Sequence, residues 1–356
     1  MEQQKTILHL INSLGRGGAE TLLKNTILLL PEYKHIICYL NDPDDFKEEL
    51  SEHTVICLRH RSRLQTFSSI NRIRKIIRQY RVDIVHSHLL ESTWLGRLAN
   101  NRRVSFVTTI HSVLSKDAFE VNPNSLYFEK ITVSARHNII AVSQTVLNDY
   151  LKHVAFKGQT FVLHNFVNPV FFENPKKEYS PKSNLCLVAI GNLKAAKNYD
   201  YVLDAFKMLK DIPVTLDIYG SGQESKTLQS IIDSEKLNIK LMGTTTHPDK
   251  ILAGYDAYII SSKHEGFGIA PLEAMAKGLP VFASDIPVFR EVMGDNALYF
   301  GLENARNLSD IIKNVFTNQS QLETLGKKGR EQAQKIASAS LYIQNLKAIY
   351  QQISDH

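Results

Sequence analysis

Residues 264–281 read His264-Glu265-Gly266-Phe267-Gly268-Ile269-Ala270-Pro271-Leu272-Glu273-Ala274-Met275-Ala276-Lys277-Gly278-Leu279-Pro280-Val281. The apolar run Tyr258-Ile259-Ile260 precedes them and reads as a strand; another begins at Val281. Between the two lies a glycine turn followed by a helical pattern. Gly266 and Gly268 expose backbone N–H groups where that helix starts, and a helix N-terminus favours an anion. Glu265 and Glu273 are eight residues apart, which on a helix brings the second near the face of the first, two turns on. Either glutamate alone would read as a surface acid. Two carboxylates beside a nest of N–H groups can hold both hydroxyls and phosphates.

The same alternation extends in both directions. Ile7–Ile11 reads as a strand, residues 15–18 as a glycine turn and Ala19–Leu30 as a helix stopped by Pro31. Further strands are expected at His35–Leu40, Val55–Leu58, Asp83–His86, Ser105–Thr109, Asn138–Val142 and Thr160–Leu163. The polar, proline-bearing stretch 174–183 reads as a linker. The pattern then restarts with strands at Leu185–Ile190, Val214–Tyr219, Ile239–Leu241, Ala257–Ile260 and Val281–Ala283, and three helical patterns finish the chain. Near-continuous apolar strands joined by helices indicate parallel sheets covered on both faces. The fold class expected is α/β: two doubly wound Rossmann-like domains facing a cleft, residues 1–172 and 173–340. The final helix, 341–356, is expected to pack back on the first domain. Ligands of such sheets bind at the carboxyl ends of the strands, and closure of two domains would exclude water.

Composition narrows the classes. The chain has 356 residues, 43% hydrophobic and 22% charged, which excludes bulk disorder. Its three cysteines are too scattered for a zinc site or a disulfide framework and are expected as buried, reduced thiols. With no membrane-length apolar run and no signal-peptide pattern after Met1, a cytoplasmic location is expected. Residues 1–175 carry 21 basic against 16 acidic residues, and the rest 21 against 20. Residues 53–82 hold no acid at all. Within them Ser68–Tyr80 spaces isoleucines 70, 73, 76 and 77 between Arg72, Arg74, Lys75 and Arg78. That is an amphipathic basic helix, suited either to packing on its own sheet or to docking on an anionic membrane surface. No nucleic-acid-binding module is recognisable.

Two more loops could approach phosphates. Gly15-Arg16-Gly17-Gly18-Ala19-Glu20 follows the first strand, but Glu20 stands where a dinucleotide fingerprint needs glycine. Gly191-Asn192-Leu193-Lys194-Ala195-Ala196-Lys197-Asn198 places lysines between a strand and a helix.

Taken together, the Glu265…Glu273 pattern, the Gly17-Gly18-Ala19-Glu20 loop, Val82–His88, Thr108–His111, His164–Asn168, Gly191–Lys197 and Tyr219–Gly222 resemble the retaining glycosyltransferases of family 4, with the GT-B fold. The resemblance spans roughly residues 5–300 and implies roles. Glu273 would bind the ribose of a nucleotide-sugar, which the resemblance implies to be a UDP-sugar, and Glu265 the hydroxyls of the donor sugar. Phe267, Gly268 and Ile269 would line sugar and diphosphate through their backbones. Lys197 would neutralise the leaving diphosphate, with Gly17 and Gly18 in the loop that closes on it. His111 would sit beside the anomeric carbon, and the turn at Gly243 would border the base. The acceptor would be a glycan or a polyprenyl-diphosphate-linked saccharide bound by the first domain, as in surface polysaccharide assembly. Catalysis would need no metal cofactor; Asp42-Pro43-Asp44 lies in a polar loop with no second ligand set.

Two positions depart from the family pattern. Asn192 replaces the usual arginine five residues before the lysine, so Lys194 or Arg16 must supply that charge or diphosphate binding weakens. Asn198 stands where glycine is common. Competing readings are a nucleotide-sugar epimerase or hydrolase of the same fold, and a non-catalytic sugar-nucleotide-binding protein. His86 and His88 are read as pointing to opposite strand faces, with no third ligand at a metal spacing.

Overall fold

The computed structural model describes residues 4–101, 103–175, 179 and 182–354. Met1–Gln3, much of the linker read at 174–183 (residues 176–178, 180 and 181) and the last two residues of the expected terminal helix lie outside the described residues. The chain divides into two compact units. One comprises Met1–Asn165 together with Ser340–His356, the other Phe166–Ala339. The break therefore falls seven residues before the expected boundary, ahead of the polar stretch.

The first unit holds seven strands: β1 (Thr6–Ile11), β2 (Lys34–Tyr39), β3 (Thr54–Cys57), β4 (Ile84–His88), β5 (Ser105–Ile110), β6 (Asn138–Ala141) and β7 (Gln159–Val162). Helices α1 (Gly18–Leu28), α2 (Thr66–Gln79), α3 (Leu90–Ala99), α4 (Pro123–Thr132) and α5 (Gln144–His153) connect them. The sheet order is β3-β2-β1-β4-β5-β6-β7, with every pairing parallel. The second unit contains β8 (Leu185–Ile190), α6 (Tyr199–Lys207), β9 (Val214–Tyr219), α7 (Ser225–Glu235), β10 (Ile239–Gly243), α8 (Pro248–Ile251) and β11 (Ala257–Ile260). It continues with α9 (Ile269–Ala276), β12 (Val281–Ser284), α10 (Pro287–Met293), β13 (Leu298–Phe300), α11 (Arg306–Thr317) and α12 (Ser320–Ile336). Its sheet, also parallel, runs β10-β9-β8-β11-β12-β13, the doubly wound order. β13 is three residues long and has no alternating pattern to announce it.

Central strands are buried on both faces, which is why β1 and β4 are buried along their whole length. The isoleucines of α2 cover one face of the first sheet alongside Leu8, Leu10, Val85 and Phe106. Two of the arginines between them are tied to backbone carbonyls: Arg72 donates to Leu58 and Cys57, and Arg74 to Leu98. Helices α3, α4 and α5 meet at Glu129, which pairs with Arg97 at 2.8 Å and accepts hydrogen bonds from Trp94 and Tyr150. Of the cysteines, Cys38 is buried as expected, but Cys57 and Cys186 are part-exposed, since β3 lies at a sheet edge and β8 leaves Cys186 partly open.

The last helix, α13 (Ala339–Ser354), packs on the first unit. Its apolar side buries Tyr342, Leu346, Ile349, Tyr350 and Ile353. Tyr350 Oη lies 2.7 Å from His86 Nδ1, Ser105 donates to the Ile353 carbonyl at 2.7 Å, and Lys347 pairs with Glu32. The Tyr350→Phe change leaves a buried imidazole nitrogen without its partner and is expected to cost about 1–3 kcal/mol in urea unfolding. Removing residues 340–356 uncovers the whole stripe and is expected to lower the melting temperature far more. An unchanged melting curve for the truncated chain would contradict this packing.

Candidate active site

In the second unit the turns that follow β8, β9 and β10 are laced together at the carboxyl edge of the sheet. Gly191 N–H donates to the Tyr219 carbonyl at 2.9 Å, and Gly220 N–H to the Gly243 carbonyl at 2.8 Å. This lacing sets Asn192 and Gly243 on the same edge. Asn192 is exposed, and its carbonyl accepts from Lys194 N–H. Gly243 has a φ of +73°, and a Cβ added there would meet nothing within 4 Å. Asn198 has a φ of +57°. Its identity now has a cause: the turn needs a left-handed residue, and asparagine accepts that conformation better than most residues other than glycine.

The Lys197 side chain reaches Glu265, with Nζ 2.5 Å from Oε1, and each side chain is only 17% exposed. Ser262 donates to the same carboxylate oxygen at 2.7 Å. Below this pair the turns after β8 and β11 are joined by Ser261 Oγ to the Lys197 carbonyl (2.8 Å) and by Lys263 N–H to the Ala196 carbonyl (2.9 Å). The sequence pattern singled out both charged residues but not their pairing. Ser261 and Ser262 carried no signal of their own, because a serine after a strand is common in any turn.

Gly268 caps α9 with a φ of +82°, and a Cβ there would sit 2.6 Å from the Phe289 ring. The glycine is thus fixed by both backbone and space. The Phe267 side chain is buried, so only its backbone can face a ligand, and Ile269 opens α9. One turn on, burial with the nearby Asp249 pushes the Glu273 carboxyl up to about 8. The buried Tyr258 hydroxyl, which donates to the Ile190 carbonyl at 2.9 Å, feels both Glu273 and Glu265. Lys197, Glu265 and Glu273 therefore belong to one edge of one sheet.

In the first unit Gly17 caps α1 in an extended conformation and Gly18 begins the helix. A Cβ on Gly17 would run into the Glu20 carboxylate, whereas Gly18 has open space. His111 follows β5 and lines a cavity of about 170 Å³ with Leu89, Thr93, Ile110, Leu114 and Asp117. Burial lowers its imidazole to about 4, so it is neutral at pH 7. His111 Nε2 lies 3.0 Å from His88 Nδ1.

The expectation that His86 and His88 point to opposite faces is overturned, although both are buried core histidines. Residues two apart on a strand share a face, and their rings stack with centroids 4.3 Å apart. His9 on the neighbouring strand β1 is the third member: one nitrogen from each ring lies within 4.8 Å of the others. Both His86 nitrogens are engaged, however, at 2.7 Å from Tyr350 Oη and from Thr109 Oγ1. Burial lowers all three imidazoles well below their ordinary range. Stacked rings also aim their in-plane lone pairs along similar directions rather than at one point. The cluster reads as a neutral polar core.

Two doubly wound sheets of this kind, with the turns just described, define the GT-B class of glycosyltransferase folds. The crystal structure of Anabaena Alr3699/HepE in complex with UDP has the same fold, with a TM-score of 0.86 at 19% identity over 98% of this chain and 100% of that one. A family model described as glycosyltransferase family 4 matches residues 16–171, and one described as glycosyl transferases group 1 matches residues 170–332. The chain belongs to the family 4 glycosyltransferases, and it is an enzyme of that kind. Among relatives, a glycosyltransferase of Methanocaldococcus jannaschii, MJ1178, is 25% identical over 95% of both chains. The O-antigen chain mannosyltransferase RfbU of Salmonella typhimurium is 29% identical over 58% of this chain and 60% of that one.

The raised Glu273 carboxyl has a consequence for stability. Its folded value near 8 exceeds the ordinary 4.5, so the native state holds a proton that the unfolded chain releases between those values. The resulting stabilisation is complete below the lower value and is lost as pH rises through the upper one. Glu273→Gln removes the titration. Unfolding midpoints measured from pH 5 to pH 9 should therefore fall more steeply for the parent chain than for Glu273→Gln; parallel profiles would show that the carboxyl is already ionised at neutral pH.

Proposed function

We propose that the chain moves a sugar, with retention of configuration, from a nucleotide-sugar to a glycan or lipid-linked saccharide acceptor, using no resident metal. The observation that carries this reading is the Lys197–Glu265 pair at the carboxyl edge of the second sheet, beside the helix that bears Glu273. Breaking a sugar–phosphate bond develops positive charge on the sugar and negative charge on the diphosphate. Lys197 Nζ and the N–H groups at the start of α9 are fixed donors for the second charge. Such donors lower the barrier because they need no reorganisation as the charge appears. In the ligand-free protein Glu265 occupies Lys197, so a diphosphate that takes the ammonium releases the carboxylate to accept from sugar hydroxyls. Glu273 would hold the ribose, with Asn192, Gly243, Phe267, Gly268 and Ile269 around the remainder of the donor. Gly17 and Gly18 would approach the phosphates through backbone, and His111 would contact the sugar as a neutral imidazole. UDP is the carrier to test first, on the strength of the family resemblance.

A glycan acceptor in surface polysaccharide assembly is supported by the kinship to an O-antigen transferase. A peripheral contact with an anionic membrane at the cytoplasmic face is supported by α2. There Lys75 and Arg78 are exposed, and Leu64 and Phe67 stand 96% and 73% exposed near the start of the helix. No helix among the described residues is long and apolar enough to cross a membrane.

The test is nucleotide release from UDP-, GDP-, ADP- and TDP-sugars, with and without EDTA. Slow release from one donor, unaffected by EDTA, is expected. Lys197→Met should lower it by roughly 10²–10³-fold, the usual loss for a donor aimed at developing charge. Glu265→Gln should also depress it. Release that requires a divalent cation, or that survives Lys197→Met undiminished, would overturn the proposed chemistry.

A further inference from the structure

Six histidines of the first unit touch one another in a continuous group: His9, His35, His86 and His88 are buried, and His53 and His111 are part-exposed at its ends. The bonds within the group constrain one another. His35 Nε2 lies 2.8 Å from the Leu30 carbonyl, which can only accept, so His35 carries its proton on Nε2. Burial keeps His35 neutral, leaving its Nδ1 bare. His9 Nε2 lies 3.0 Å from that Nδ1 and must therefore donate to it. Neutral His9 then has a bare Nδ1, and this atom is buried without a hydrogen-bond partner among the described residues. His88 has one such atom as well, Nε2. The His9 and His88 rings are stacked at 6.1 Å between centroids.

The remaining choice concerns His88 and His111. If His88 donates through Nδ1, its Nε2 is bare, and two unpartnered lone pairs share one low-dielectric cluster. If His111 donates through Nε2, His88 Nδ1 accepts, and the His88 proton sits on Nε2 in the same cluster as the His9 lone pair. The second arrangement replaces a repulsion by an attraction, and water cannot screen either. The other titratable groups around the cluster are His53, His86, Tyr33, Tyr350 and Glu32, whose carboxylate acts on His35 against the effect of burial. Of these, His86 is held by Tyr350 and Thr109, both of which can donate or accept, so neither forces the choice.

We propose that the Leu30 carbonyl, acting through His35, His9 and His88, fixes the tautomer of His111, leaving it protonated on Nε2 and bare on Nδ1. His35, His9 and His88 are then positioning residues for His111. With Nε2 turned to His88, Nδ1 is the nitrogen left for a ligand, and a bare nitrogen accepts from a hydroxyl but offers nothing to a phosphate oxygen. The site would thus select a sugar hydroxyl at this point. This last consequence rests on the proposed role of His111; the tautomer itself does not.

The test is long-range proton–nitrogen correlation NMR on the full chain with ¹⁵N-labelled histidine and no ligand. His111 is assigned by the signals missing in His111→Gln. His9, His35, His88 and His111 are all expected as Nε2–H forms. In His35→Leu the anchor is gone, and His111 is expected to shift toward the Nδ1–H form. His35→Asn keeps an acceptor for His9 and should retain the parent pattern. An Nδ1–H form of His111 in the parent chain overturns the proposal, and this spectrum decides it even if His35→Leu does not fold. An unchanged His111 tautomer in folded His35→Leu overturns it equally. Where nucleotide release is measurable, His35→Leu should lower kcat roughly tenfold, the worth of about one hydrogen bond, with KM within twofold and with recovery in His35→Asn. Equal loss in both variants would indicate packing alone and reject the relay. The expected tautomers in a chain that releases no nucleotide would instead refute the proposed function and leave the relay standing.

Discussion

Every strand in both sheets pairs in parallel, and that one constraint organises the chain. A parallel strand cannot turn directly back beside its neighbour; it must cross over, here mostly through a helix. All turns from strand to helix consequently gather at the carboxyl edge, where helix N-termini and loose backbone N–H groups also collect. Chemistry gathers at that edge because central strands such as β1, β4, β11 and β12 are buried along their whole length. Gly191, Gly220 and Gly243 lie there as neighbours although more than twenty residues separate each from the next, because β8, β9 and β10 are adjacent. The same adjacency, now of β8 and β11, brings Lys197 to Glu265.

Strand positions were legible in the sequence to within a residue or two, since a strand buried on both faces is an uninterrupted apolar run. β13 escaped because three residues make no pattern. Glu265 and Lys197 were legible because they sit in turns that follow strands and carry glycines, and Glu273 because it lies one turn into the helix that such a turn opens. Their partnerships were not. The contact between Lys197 and Glu265 spans 68 residues, and that between His86 and Tyr350 spans 264. Periodicity is a local signal and is silent at that range. The histidines show the point from the other side. His86 and His88 share a face by the ordinary alternation of a strand, and only the sheet order reveals that His9 stands beside them. Asn198 is an intermediate case: its oddness was visible in the sequence, and its reason, a left-handed turn, only in the backbone.

Basic charge in the first unit has two uses that composition cannot separate. Arg72 and Arg74 hold loop and helix carbonyls, Arg97 neutralises the buried Glu129, and Lys75 and Arg78 stand in solvent. Long cationic side chains serve as internal ties as readily as they serve as docking charges. A net charge therefore overstates the surface available to an anionic partner.

The placement of α13 also bears on the order in which the protein is made. The first unit is discontinuous: its closing helix is translated only after the whole of the second unit. A ribosome partway through the message thus carries a seven-stranded sheet with an uncovered side near His86 and Ser105, while the second unit can already complete its own core. For that interval the nascent first unit presents unsealed apolar and polar groups to whatever chaperone attends it. Maturation of the earlier-made half waits on the later one.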